Sequence, residues 1–285
     1  MKVIRIYSPP PLFIPCNTMS LLRPQKLAVW LTPLLLSAGT QAHSPYLKPN
    51  SFNTEEQRKH VTVEASFAEG DLRPDVAMRS DAFHLIGPDG KKLPLTPAAV
   101  LKDASYLEVP LAAGNGTYLV SSGVRKGRLA KGVLRGGKVH FAERKDDVQA
   151  GDQPIEVQSI TRADVYVTRG KPSASVDFEA EGVEIYPVTK PYDLYAGETV
   201  TVRVRENRKP LAGETVTVIT DGQNYARQKQ AEQDFSTNAA GEVSFKPKTA
   251  GLYLLQVRVR RASPDNPALW LSNTATLTIE VQPQP

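Results

Sequence analysis

The chain has 285 residues, 40% hydrophobic and 23% charged, with a formal net charge of +5 and a single cysteine, Cys16. That length can bury a packed core without staples. One thiol excludes an internal disulfide and any CxxC redox or zinc motif.

Residues 1–42 read as a secretory signal peptide. Arg23 and Lys26 form a positive n-region, Leu27 to Ala38 an apolar core, and Thr40-Gln41-Ala42 a small-x-small exit. A membrane span needs roughly 20 apolar residues, so an uncleaved anchor is the alternative reading. Counted from Met19 the signal has an ordinary length, which suggests Met19 as the true start. Removing it discards Lys2, Arg5, Arg23 and Lys26, and the net charge falls from +5 to +1. The basic balance is therefore no argument for nucleic acid. Cys16 leaves too, and Phe13-Ile14-Pro15 before it is not a lipoprotein-type cut site. No transmembrane segment is expected after cleavage.

Beyond residue 42 the chain reads as strands. Val61, Val63, Ala65 and Phe67 alternate with Thr62, Glu64 and Ser66, the period of a half-buried strand. Further strands are expected at Ala82–Ile86, Tyr106–Val109, Thr117–Ser121 and Val165–Thr168, with Gly/Pro/Asn turns between them. AGETVTV occurs at Ala196–Val202 and again at Ala212–Val218, which suggests two neighbouring strands joined through Glu206–Pro210. Glu242–Phe245, Leu252–Val259 and Thr274–Val281 complete the set. Residues 225–233 fit a short helix or an exposed strand equally. Short strands at this spacing indicate sandwiches. The expected fold is all-β: an N-terminal β-sandwich domain over residues 43–172, a polar linker over 173–182, and a C-terminal immunoglobulin-like or prealbumin-like sandwich over 183–285.

An ordered series of short stretches carries a resemblance. Glu184-Ile-Tyr-Pro187, Leu194-Tyr-Ala-Gly197, Val200–Val204, Lys209-Pro-Leu-Ala-Gly213, Ser236–Phe245 and Ala250–Leu255 come one after another, preceded by Ala42-His43, Tyr46-Leu-Lys-Pro49, Phe83–Gly90 and Tyr166–Gly170. The series resembles a bacterial exported family, the domain of unknown function 4198. The resemblance covers nearly the whole chain after the signal, with residues 123–160 the weakest stretch. It implies a periplasmic protein akin to components of nickel or cobalt uptake systems, working beside an envelope transporter or outer-membrane receptor.

Cleavage after Ala42 would give His43 a free α-amine. That residue then offers one metal two nitrogens, the amine and the ring Nδ1, and imidazole suits copper, nickel and zinc. The alternative is a histidine placed there by chance. Second ligands would come from His84 or His140, with His60 the remaining histidine; none of these is spaced as a local metal motif. Asp71 and Asp75 could supply oxygen ligands or simply solvate a loop. Residues 125–145 hold eight Lys/Arg against one acid, suiting an anionic surface or a solvated hairpin. Without aromatic interleaving they do not suit nucleic acid. Trp270 and Tyr253 could stack on sugars or fill a core. No nucleophile elbow, phosphate loop or dinucleotide fingerprint is present, and no enzyme activity is expected. The leading expectation is a protein that binds a divalent transition metal (nickel, cobalt or copper) through His43, His84 and His140 and assists its uptake or delivery. The rivals are a metal-free interaction or spacer module and, less in keeping with the composition, a copper-dependent polysaccharide oxygenase.

Overall fold

The computed structural model describes residues 43–142, 144–174, 177, 181–222 and 233–284. The signal peptide expected over residues 1–42 lies outside them, as does most of 225–233; only Gln233 is described there, at the start of a strand.

The described chain is all-β apart from one short 3-10 turn, Lys145–Asp147. In order come β1 (Ser44–Pro49), β2 (Asn53–Thr54), β3 (His60–Ala68), β4 (Val76–Ala77), β5 (His84–Ile86), β6 (Lys92–Pro94), β7 (Ala99–Val100), β8 (Ser105–Pro110) and β9 (Gly116–Ser121). A hairpin of β10 (Arg125–Arg135) and β11 (Lys138–Phe141) leads into the long β12 (Gln153–Arg169). The rest supplies β13 (Val183–Pro187), β14 (Val200–Glu206), β15 (Lys209–Pro210), β16 (Thr215–Thr220), β17 (Gln233–Ser236), β18 (Glu242–Phe245), β19 (Gly251–Ala262) and β20 (Leu269–Val281).

One large sheet runs β17-β16-β19-β20-β12-β9-β5-β6, with the β10–β11 hairpin on the first half of β12. Two smaller sheets accompany it, β1-β3-β8-β7 with β4, and β13-β14-β15 with β18. The valines of β3 join Leu107, Val109, Tyr118, Ala163, Val165 and Val167 in one apolar cluster. Those of β13 and β14 join Val216, Leu255, Val257 and Leu277 in another, which also takes in Ile86, Leu119 and Tyr166. Alternation explains strands such as β3, β14 and β16, which turn one face to a core, whereas β9 and much of β12 and β20 are buried on both faces.

β12 and β20 form the seam between these clusters. They pair in parallel from Glu156↔Leu269 to Val165↔Thr278. The described residues belong to one compact unit. Of the expected linker, residues 175–176 and 178–180 lie outside the described residues.

The repeated AGETVTV stretches do not form neighbouring strands. β14 belongs to a small sheet and pairs β13, β15 and β18, whereas β16 lies in the large sheet between β17 and β19. Their valines meet across the core instead: Val200, Val202, Val216 and Val218 share one cluster. The Glu206–Pro210 turn closes the short β14–β15 hairpin, with Asn207 and Arg208 at φ 48° and 68°. Two positive-φ residues are what a tight hairpin turn requires.

Both halves carry the same corner. Tyr118 donates its hydroxyl to the Gly114 carbonyl at 2.6 Å, and Tyr253 to that of Thr249 at 2.7 Å. Two residues before each tyrosine stands a glycine, Gly116 at φ 142° and Gly251 at φ 140°. A tyrosine bonding back to the chain four residues upstream is a mark of immunoglobulin-like sandwiches. Tyr253 is thus a core residue, 4% exposed, and not an open platform for sugars.

Candidate functional site

His43 is the first described residue and leads directly into β1. The Tyr46-Leu-Lys-Pro49 stretch explains why β1 is firmly placed. Leu47 is fully buried, the Tyr46 hydroxyl donates to Glu64 at 2.7 Å, and Lys48 pairs with the same carboxylate at 2.8 Å. Burial, with Glu64 beside it, raises the Tyr46 pKa far above the ordinary phenol range, so the hydroxyl stays a donor. Lys48 also donates to the Leu72 carbonyl at 3.0 Å, tying β1 to the loop that carries Asp71 and Asp75. Thr276 Oγ1 donates to the Pro45 carbonyl at 2.8 Å, and Ser44 Oγ to Gln256 Oε1 at 2.7 Å. The backbone beside His43 is therefore held to the large sheet as well as to β3.

The end of β3 brings His43 and Asp75 together. β1 pairs one edge of β3 at Ser44↔Ala68, and β4 pairs the other at Phe67↔Val76. The chain must turn back between Ala68 and Val76, and Asp75 arrives beside the start of β1. Its N–H donates to the Phe67 carbonyl at 3.0 Å, and its Oδ2 accepts the Glu69 N–H at 3.1 Å. The same Oδ2 stands 3.9 Å from His43 Nε2, and both side chains are 45% exposed. That separation is an ion-pair distance, too long for a hydrogen bond. Asp71 turns elsewhere: it is buried, 3.4 Å from Arg73 Nε.

The other histidines stand apart. His60 opens β3 at the end opposite His43, roughly 26 Å away along the strand at 3.3 Å per residue. His84, in β5, is buried, and its Nδ1 lies 2.8 Å from the Ala82 carbonyl. A carbonyl can only accept, so Nδ1 carries the proton. Burial lowers the ring's pKa against the upward pull of that hydrogen bond, and the imidazole is neutral. His140 is exposed on β11, opposite Val133. The structure therefore does not bring His43, His84 and His140 into one cluster. Among the described residues no group of three or more His, Cys, Asp and Glu side chains is arranged to hold a metal. The pairing the sequence could not supply is His43 with Asp75, which depends on two different partners of β3.

A second constellation is not legible in the sequence. Arg162 on β12 donates through Nε to Asp164 at 2.8 Å and lies 3.4 Å from Glu184 on β13. Glu184 also accepts from Arg205 Nε, and Arg205 reaches Asp177 at 2.7 Å and covers the Tyr186 ring at 4.3 Å. Arg162, Asp164, Glu184 and Arg205 are all buried. Burial raises the Glu184 pKa although two guanidinium groups pull it down. Buried except at Asp177 and mutually bonded, this network joins β12 to β13 and β14.

A profile of the family described as domain of unknown function (DUF4198) matches residues 40–261. No curated protein matches the chain. Among solved structures, the D0-D1 domain of intimin is 14% identical, with 82% of this chain and 96% of that one covered at a TM-score of 0.22. A biofilm associated protein BSP domain is 12% identical, covering 84% and 30% at 0.21. A DUF4785 family protein from Legionella pneumophila is 10% identical, covering 74% and 50% at 0.24. None of these likenesses carries an argument about function.

Proposed function

The chain belongs to the DUF4198 family, and on that premise we propose that it is an exported protein that binds a divalent transition metal at His43. Signal cleavage after Ala42 creates the donor set: the new α-amine and Nδ1 of one residue close a chelate ring on nickel, cobalt or copper. The observation that carries this reading is Asp75 Oδ2 at 3.9 Å from His43 Nε2. A metal-bound histidine commonly directs its outer ring nitrogen at a carboxylate, which fixes the tautomer and strengthens the ligand. Here the outer nitrogen is Nε2, which leaves Nδ1 for the chelate. The donors fit a borderline metal with open positions; His84, buried on β5, belongs to no ligand cluster among the described residues. The protein's work would then be to accept or hand over the ion in the periplasm, beside an envelope transporter or receptor.

The metal-free reading, a spacer or interaction module, rests on the lack of a three-residue side-chain cluster among the described residues. One experiment separates the two. Intact mass of the exported protein fixes its first residue. Calorimetric titration with nickel, cobalt, copper and zinc then compares that form, a form with one extra N-terminal residue, and Asp75→Asn. The metal reading expects tight binding by the first, a loss of at least 100-fold in the second, and 10- to 100-fold in the third. Equal affinity in the first two removes the chelate.

A further inference from the structure

The basic run 125–145 is sorted by the fold into spent and available charges. Arg135 is spent: it grips Asp152 through Nε at 2.9 Å and a terminal nitrogen at 2.6 Å. Lys131 faces Glu156 across the β10–β12 ladder. At the other end, Arg125 and Lys126 join Arg79 in the lining of an open cleft of about 360 Å³, together with Ser80, Ala82 and Val124, and with Asp81 its acidic member. Three cations against one acid give the cleft an excess positive charge.

Arg125 is tethered at the cleft, whereas Arg79 and Lys126 are exposed side chains at its rim. Arg125 Nε donates to the Arg79 carbonyl at 2.8 Å, and its guanidinium carbon lies 5.3 Å from the centre of the Phe67 ring. Both contacts restrain the guanidinium at the cleft, with Nε engaged by the Arg79 carbonyl. Ser80, also in the lining, is fixed as well. Ser80 Oγ donates to the Ser122 carbonyl at 2.7 Å and accepts the Ala82 N–H at 3.1 Å. A planar fork held beside two further cations is the arrangement that recognises a phosphate bidentately. The volume falls in the range of small-molecule sites and exceeds what a bare anion fills.

We propose that this cleft binds a phosphate monoester, the phosphate on Arg125 with Arg79 and Lys126 around it, and the organic part towards Val124. The site is independent of the His43 chelate and stands or falls separately. The ester can come from a soluble metabolite or from a lipid headgroup, and the test distinguishes these. The exported protein, without added metal, is titrated with inorganic phosphate and with glycerol 3-phosphate, and is floated with vesicles containing phosphatidic acid or phosphatidylcholine alone.

Saturable binding of glycerol 3-phosphate, tighter than inorganic phosphate, supports a soluble ligand. Binding only to phosphatidic acid vesicles supports a headgroup. In either case Arg125→Gln is expected to weaken binding at least 10-fold and Lys126→Gln, at the exposed rim, about 3-fold. Lys131→Gln, already opposite Glu156, is expected to bind like the parent. Lys126→Gln keeps the test decisive if Arg125→Gln folds poorly. No binding to any of these probes, or equal binding by parent, Arg125→Gln and Lys126→Gln, overturns the proposal.

Discussion

Replacing Arg162 by methionine tests the buried ionic network directly. The change removes a guanidinium 5% exposed while keeping most of its apolar stem volume, and strands Asp164 and Glu184, each 4% exposed. Glu184 keeps Arg205, but Asp164 loses the cation it is bonded to. Breaking a buried pair in this way costs about 3–5 kcal/mol. The stranded carboxyl can escape by taking up a proton, which from an ordinary pKa of about 3.9 costs about 4 kcal/mol at pH 7 and about 1.5 kcal/mol at pH 5. The loss at pH 7 is thus bounded near 4 kcal/mol, and it shrinks in acid. Linkage sets the sign: a carboxyl with a raised folded-state pKa adds stability below its unfolded pKa, and that contribution is lost as pH rises through the folded value. Glu184→Gln behaves differently. Arg162 retains Asp164 at 2.8 Å, Arg205 retains Asp177 at 2.7 Å, and the carboxyl removed is one whose pKa burial already raises. The expected cost is about 1 kcal/mol at pH 7, and it grows rather than shrinks in acid, because the parent's raised carboxyl gains stability there and glutamine does not. Urea unfolding of both variants at pH 5 and pH 7, monitored by tryptophan fluorescence, reads these differences. Equal losses for the two substitutions, or an Arg162→Met deficit unchanged between the two pH values, would refute the reasoning.

Two further outcomes are expected. Gly116→Ala and Gly251→Ala impose the same backbone strain, about 1–3 kcal/mol. A Cβ at 116 would also lie 2.5 Å from Pro88 Cβ, whereas nothing stands within 4 Å at 251; Gly116→Ala should therefore melt well below Gly251→Ala in a calorimetric scan. Asp152 should titrate at about 2 by carboxyl NMR, held down first by the Arg135 hydrogen bond and then by the Gln149 N–H. Its contribution to stability is present above the unfolded pKa and lost as pH falls through about 2; in Arg135→Gln the carboxyl should move back up, and an unmoved titration would show that Arg135 is not the cause.

Alternation is a sound guide wherever a strand has one wet face. The Val61–Ala68 pattern lies in β3; Thr117–Ser121 lies within β9, which is buried throughout and is legible from its flanking turn rather than from alternation. It fails on β12, where only Val165–Thr168 is legible of a strand spanning Gln153–Arg169. Thr161, Arg162 and Asp164 interrupt the apolar pattern, and buried charges look like a loop until their partners on β13 and β14 are known. The AGETVTV repeat predicts the right face and the wrong sheet, because a period of two says which side a residue takes but not which strand lies alongside. The basic run looks like a solvated hairpin and is one in part, β10 with β11. Its charge sorting depends on Asp152, Glu156 and Arg79, which only tertiary structure brings near. For the same reason His43 can be singled out from its place in the chain, while Asp75 can be named only as one of two nearby acids.

The parallel ladder between β12 and β20 sets an order of events for a chain that emerges N-terminus first. β12 comes soon after β9 and β10 and can dock on them early, but its other edge stays open until residues Leu269–Val281 have also emerged. An unfinished edge of that length is an invitation to foreign strands. A molecule clipped before Leu269 would keep most of both cores and still lack the zip that closes them, leaving a half-built protein prone to self-association.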